Sequence, residues 1–178
     1  MTNNQSIPPE WGHYLAGFTD GEGSFVISFR KREDHTLGWQ ISFAFSVSQR
    51  EAYILSQFKK YLGCGTISQR QDGLHTYVVL NPLALQEKVV PFFERFCLRS
   101  ATKKRNFFLF RKALRIWMGK KQLTQEELRK VAKIREQLNM GAGRKRKYTI
   151  KDMERSFIED PQRPYARIRT FRKETRRI

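Results

Sequence analysis

Between Ser24 and Ser48 the chain alternates. Phe25, Ile27 and Phe29 are separated by Val26, Ser28 and Arg30. Past a polar stretch from Glu33 to Gly38, Trp39, Ile41, Phe43, Phe45 and Val47 are separated by Gln40, Ser42, Ala44, Ser46 and Ser48. A period of two held this long predicts a two-stranded ribbon with one apolar face and one hydrogen-bonding face. Around the ribbon the period becomes helical. Trp11, Leu15 and Phe18 predict a helix over 10–19, opened by Pro8-Pro9 and stopped by Gly21 and Gly23. Ile54, Phe58 and Leu62 predict another over 50–62, closed by Gly63. Residues 65–70 and 74–80 read as a hairpin about Asp72-Gly73. Asn81-Pro82 opens a third helical segment that Pro91 is expected to kink or break. Lys103-Lys104-Arg105 opens a helix with Phe107, Phe110, Leu114 and Trp117 as its buried stripe, ended by Gly119. Thr124 with Glu127 forms a capping box for a helix running to about Asn139. Its inner face is Leu128, Val131, Ala132, Arg135 and Leu138, and a short helix near 149–157 precedes an Arg-rich tail.

This order predicts a mixed α/β (α+β) domain, αββαββα with extra C-terminal helices. A core over 1–140 is expected to carry a basic extension over 141–178. Residues 1–6 are polar and expected to be loose.

Charge changes the picture. Thirty-five Lys and Arg against seventeen Asp and Glu leave +18. A field of that sign attracts polyanions and steers their encounter. Nucleic acid is the leading partner. A membrane is not, since no apolar run reaches spanning length and no signal sequence opens the chain. From Arg144 to Ile178 there are thirteen Lys and Arg and five Asp and Glu. That tail is either a solvated arm or a source of phosphate contacts. Cys64 and Cys97 form no metal-like cluster and point to a reducing compartment. Both are expected to be small buried apolar residues.

The candidate chemistry lies in Leu15-Ala16-Gly17-Phe18-Thr19-Asp20-Gly21-Glu22-Gly23. Small residues (Gly12, Ala16, Gly17) leave a helix face bare enough for close backbone approach. Asp20 and Glu22 flank glycine at the C-terminal end, where the helix dipole favours a cation. Carboxylate and carbonyl oxygens there suit magnesium. The alternative is a core helix ending in a Gly-rich turn whose acids are merely solvated.

That nonapeptide, followed by the alternating ribbon, resembles the signature of the LAGLIDADG homing endonucleases position by position. Thr19 is polar where an apolar residue is commoner, and Glu22 replaces the more frequent Asp. The resemblance extends from Trp11 to about Leu138. It implies a saddle of curved antiparallel sheet and, with a single motif, a homodimer of two-fold symmetry joined through Ala16 and Gly17. It implies that Glu22, with the main-chain carbonyl of Gly21, binds a divalent metal, Mg²⁺, while Asp20 is structural. Gln49 matches a water-ordering position, and Lys103 or Lys104 a cationic helper, between which the spacing does not choose. Tyr53 stands where the family often has a basic residue. The polar sheet face becomes the DNA-reading surface, with Ser28, Arg30, Arg32, Gln40, Ser42, Ser46, Ser68, Arg70 and Thr76 as candidates.

The implied activity is a metal-dependent double-strand break in a long near-palindromic DNA target, leaving 3′ overhangs, by an intron-encoded enzyme. The compartment would be a bacterial cytoplasm or an organelle. The rival is an RNA-binding intron maturase on the same scaffold; a DNA-binding regulator without catalysis and a ribosomal or chromatin-type basic protein are further alternatives. The acid at Glu22 disfavours the maturase and the regulator, which need no metal ligand. The last explains the charge but not the Gly-acid turn.

Overall fold

The computed structural model describes residues 7–32, 38–119, 122–139, 146–159 and 166–167. The expected loose N-terminus, most of the polar loop and most of the basic tail lie outside them. The element order is α1 (Pro9–Glu22), β1 (Gly23–Lys31), β2 (Trp39–Gln49), α2 (Ala52–Leu62), β3 (Thr66–Gln69) and β4 (His75–Val79). Then come α3 (Pro82–Ala84), a wide π turn (Leu85–Val89), α4 (Val90–Arg95) and α5 (Ala101–Met118). A two-residue strand β5 (Gln122–Leu123), α6 (Gln125–Gln137), α7 (Ile150–Glu159) and β6 (Ala166–Arg167) complete it. The four long strands form one sheet in the order β1-β2-β4-β3, and β5 pairs with β6. The expected αββαββα core is therefore present.

The chain forms two compact units, Met1–Val26 with Phe43–Phe107, and Ile27–Ser42 with Phe108–Ile178. In the first, period-two alternation buries one side of the sheet against helices. Phe25 stacks on Phe45 with ring centroids 5.3 Å apart, and Phe93 meets both rings edge-on. Phe58 of α2 stacks on Tyr77 at 5.8 Å, and the Tyr77 hydroxyl donates to the Cys64 carbonyl at 3.0 Å. Gly65 permits this closure: its φ is +80°, and a Cβ there would fall 2.7 Å from the Tyr77 ring.

In the second unit the capping box forms as expected, with Thr124 and Glu127 exchanging bonds. Arg135 is buried on the inner face of α6. Its guanidinium lies 4.9 Å from the centre of the Phe29 ring and donates to Glu136 Oε1 at 3.1 Å and the Tyr148 carbonyl at 2.8 Å. Burial pushes its pKa below the usual guanidinium value, and Arg146 adds to that while Glu136 opposes it. Trp39 Nε1 donates to Ser156 Oγ at 2.7 Å, which ties α7 to β2.

Three expectations need correction. α1 does not stop at Thr19 but continues through Asp20 and Gly21 to Glu22. Neither Gly21 nor Gly23 adopts positive φ; Gly23 is extended, and its N–H donates to the Thr19 carbonyl. Gly23 is needed for space, since a Cβ would sit 2.3 Å from the Thr19 methyl. Pro91 does not break its helix. The π turn just before it widens the backbone, and this accommodates the missing N–H and the proline ring. Cys64 is buried but Cys97 is exposed. Phe96 and Leu98 take the buried positions on either side and turn Cys97 outward.

Candidate active site

Extending α1 by three residues puts both acids inside its last turn. The final four carbonyls of a helix lack intrahelical donors, so Gly21 brings its carbonyl and Glu22 its exposed carboxylate to the negative end of the helix dipole. Asp20 is partly buried. Its Oδ2 accepts the Arg99 N–H at 2.7 Å, and its Oδ1 is buried with no protein partner among the described residues.

The two candidate lysines are separated by their surroundings. Lys103 Nζ donates to the carbonyl of Gly23, directly after Glu22. Burial holds the Lys103 ammonium below the ordinary lysine value, while Asp20 and Glu22 pull it back up. Lys104 shares the same first turn of α5, but its side chain is exposed. Gln49 is the last residue of β2, opposite His75 in β4. Its Oε1 accepts the Arg50 N–H at 2.8 Å, which leaves the amide NH₂ to face solvent or substrate.

These oxygens suit a divalent cation. The donors are hard carboxylate and carbonyl groups, and one buried carboxylate oxygen has no protein partner. Among the described residues no three His, Cys, Asp or Glu side chains gather at one point. A cation here would need further oxygens from water, phosphate or a second chain.

The outward sheet positions alternate with the buried ones along each strand. Ser28, Arg30 and Arg32 lie on β1 and just past it, and Gln40, Ser42 and Ser46 on β2. The register settles the hairpin: Ser46, Val78 and Thr66 form one row, and Ser48, Thr76 and Ser68 the next. Ser48 and Thr76 hydroxyls lie 3.0 Å apart. Arg70 is exposed in the turn and paired with Asp72 at 3.2 Å. Ser48 and Thr66 belong to this face but were missed as candidates. The same period-two count, carried one step further along each strand, points to both.

The proposed seam divides. Ala16 is buried by its own chain, whereas Gly17 is exposed and a Cβ there would meet nothing within 4 Å. Gly12 is buried too, with the Phe96 ring where its Cβ would stand. Tyr14 on α1 and Tyr53 on α2 are over half exposed. With Trp11, Ile54, Glu10 and Glu51 they line an open groove.

Residues 15–114, more than half of the chain, match the LAGLIDADG endonuclease family. The chain belongs to that family. It is 35% identical over 86 residues to the DNA endonuclease I-CvuI of Chlorella vulgaris, covering 46% of this chain and 53% of that one. It is 34% identical over 100 residues to the homing endonuclease I-ApeII of Aeropyrum pernix, covering 55% and 59%. The chain thus spans somewhat over half the length of these two relatives. Among solved structures it is similar to the archaeal intron-encoded homing endonuclease I-Vdi141I complexed with DNA. There the TM-score is 0.76 at 26% identity, covering 83% of this chain and 94% of that one. A complex of I-CvuI with its target in the presence of Ca gives 0.71 at 25% identity, covering 85% and 94%. The family's fold, a mixed helical domain on a four-stranded sheet, is the one described above.

Proposed function

We propose that this chain is a site-specific homing endonuclease that breaks both strands of a long, near-palindromic DNA target. The observation that carries it is Lys103 bound to the Gly23 carbonyl beside an exposed Glu22, at the end of the signature helix. DNA-bound relatives and the +18 charge support the same substrate.

Glu22 and the Gly21 carbonyl are the residues that would hold a divalent cation, which we take to be Mg²⁺. When bound, it offsets charge on the scissile phosphate and lowers the pKa of an attacking water. Asp20 fixes the end of α1 through Arg99. Gln49 orients the water through its free amide. Lys103 faces charge that develops on the phosphate, and its own partial burial strengthens that interaction. Lys104 contacts backbone phosphate. The products carry 3′ overhangs.

Two copies join along α1, with Gly17 at the closest approach and the exposed aromatic groove of α1 and α2 beside it. That assembly doubles the site and makes the target near-symmetric. Ser28, Arg30, Arg32, Gln40, Ser42, Ser46, Ser68, Arg70 and Thr76 read bases, and the basic extension over 141–178 adds phosphate contacts to the 1–140 core. No described helix is long and apolar enough to cross a membrane; we place the protein in a reducing compartment, consistent with Cys64 and Cys97 not being joined in a disulfide.

The test uses the full chain and a duplex made by joining the sequences that flank its gene. Mg²⁺ should support cleavage, and Ca²⁺ binding alone. Glu22→Gln should keep Ca²⁺-supported binding and lose cleavage by about a thousandfold or more. Cleavage by that variant at the unaltered rate would overturn the assignment, and RNA binding without any DNA cleavage would favour the maturase.

A further inference from the structure

The outward side of the sheet is not polar throughout. Along β2, Ala44 interrupts a series otherwise made of Gln40, Ser42, Ser46 and Ser48. Along β4, Val78 stands between Ser46 and Thr66, and Leu80 follows two residues later with 60% of its surface exposed. The ladder of β2 against β4 ends with Phe45 opposite Val79, so Ala44 and Leu80 both lie one residue beyond that last pair. Val26 lies on the same side of β1, since Phe25 on the opposite side stacks with Phe45. All four belong to the first compact unit. The result is an apolar strip with the hydroxyl residues Ser46 and Thr66 on either side of Val78.

An exposed leucine alone means little. Its position on a surface that meets base edges is what matters. Those edges carry hydrogen-bond donors and acceptors almost everywhere, and covering them with Val and Leu leaves polar atoms without partners. The major groove offers one apolar group, the C5-methyl of thymine. A cytosine at the same place presents an amino donor that the strip cannot accept.

We infer that Ala44, Val78 and Leu80 form a thymine-reading strip, each half-site placing C5-methyl groups against it. This rests on the endonuclease reading and specifies its substrate. Side chains two apart on a strand stand about 6.8 Å apart, close to two base-pair steps of about 3.4 Å. With Val78 on β4 and Leu80 one residue past its end, the two select thymines about two base pairs apart in each half-site.

The experiment is selection of a randomised duplex library on the full chain with Ca²⁺. Enriched half-sites should carry thymines at that spacing. Replacing those thymines by deoxyuridine removes only the methyl and should weaken binding about fourfold per methyl. In Leu80→Ala, whose side chain is largely exposed and so has little to do with folding, the thymine-over-uracil preference at one position should fall to about unity. Val78→Ser, which removes both methyls at a half-buried position, should do the same at the other. An enriched sequence indifferent to uracil would overturn the strip and leave site-specific cleavage standing. No enrichment of any sequence would overturn both.

Discussion

The backbone N–H of Arg99 donates to Oδ2 of Asp20 at 2.7 Å, across 79 positions of sequence. This bond joins the last turn of α1 to the segment entering α5, so the acid and the lysine of the proposed site share one anchor. A charge-assisted bond of this kind contributes about 1.5–3 kcal/mol when intact. Asp20→Ala should therefore lower the thermal midpoint and the cleavage rate together. Asp20→Asn, which keeps an acceptor oxygen, should lose less of both. Calorimetry and single-turnover cleavage would check this, and an Ala variant as stable and active as the parent would remove Asp20 from its anchoring role.

Lys103 and Lys104 are adjacent in sequence but differ in what surrounds them. Lys103 reaches the Gly23 carbonyl and feels Asp20 and Glu22, whereas the Lys104 side chain is exposed. Lys103→Met should cost about a hundredfold in kcat with little change in DNA affinity. Lys104→Met should leave kcat near its original value and reduce the slope of log affinity against log salt by about one. Measuring both variants at several salt concentrations separates the roles.

Much of this was legible because period and capping are local signals. The ribbon over 24–48 came from strict alternation, and the Thr124–Glu127 box from two residues three apart. Glycine misled at α1, because Gly21 continues the helix while Gly23 caps it in extended backbone, where the space beside Thr19 leaves no room for a Cβ, rather than by a left-handed turn. Pro91 misled because a π turn is a property of the whole preceding segment, invisible in the dipeptide. At the site, spacing brought out both lysines and could not rank them. The ranking depends on a contact eighty residues distant in the chain. Ala16 and Gly12 look like parts of one bare seam until their own chain is seen to cover them.

That difference along α1 gives a third prediction. A Cβ on Gly12 would overlap the Phe96 ring at 2.3 Å, and Phe96 is itself buried. Gly12→Ala should destabilise the single chain by about 1–3 kcal/mol through overpacking. At Gly17 there is open space, so Gly17→Leu should fold normally as a single chain and lose self-association and cleavage together. Sedimentation beside denaturant unfolding distinguishes the outcomes. An intact, active dimer of Gly17→Leu would remove the close helix pairing.

The last prediction concerns acid. Asp152 Oδ2 accepts the Thr149 N–H at 2.7 Å and its hydroxyl at 2.9 Å, closing the N-terminus of α7. The Thr149 backbone bond, then its hydroxyl bond, holds the Asp152 carboxyl below the ordinary aspartate value. A depressed folded pKa means the unfolded chain binds the proton first as pH falls. The contribution is therefore full above the ordinary aspartate pKa, shrinks below it, and is gone once pH passes the lowered folded value. α7 should fray across that acidic window. The Trp39 indole, bonded to Ser156 on α7, provides the reporter. Its N–H resonance should shift and its exchange quicken as pH drops below about 4. Asp152→Asn should remove most of that pH response and loosen α7 already at neutral pH. A Trp39 signal that titrates identically in both proteins would show that α7 is held by Trp39 and the α6 contacts alone.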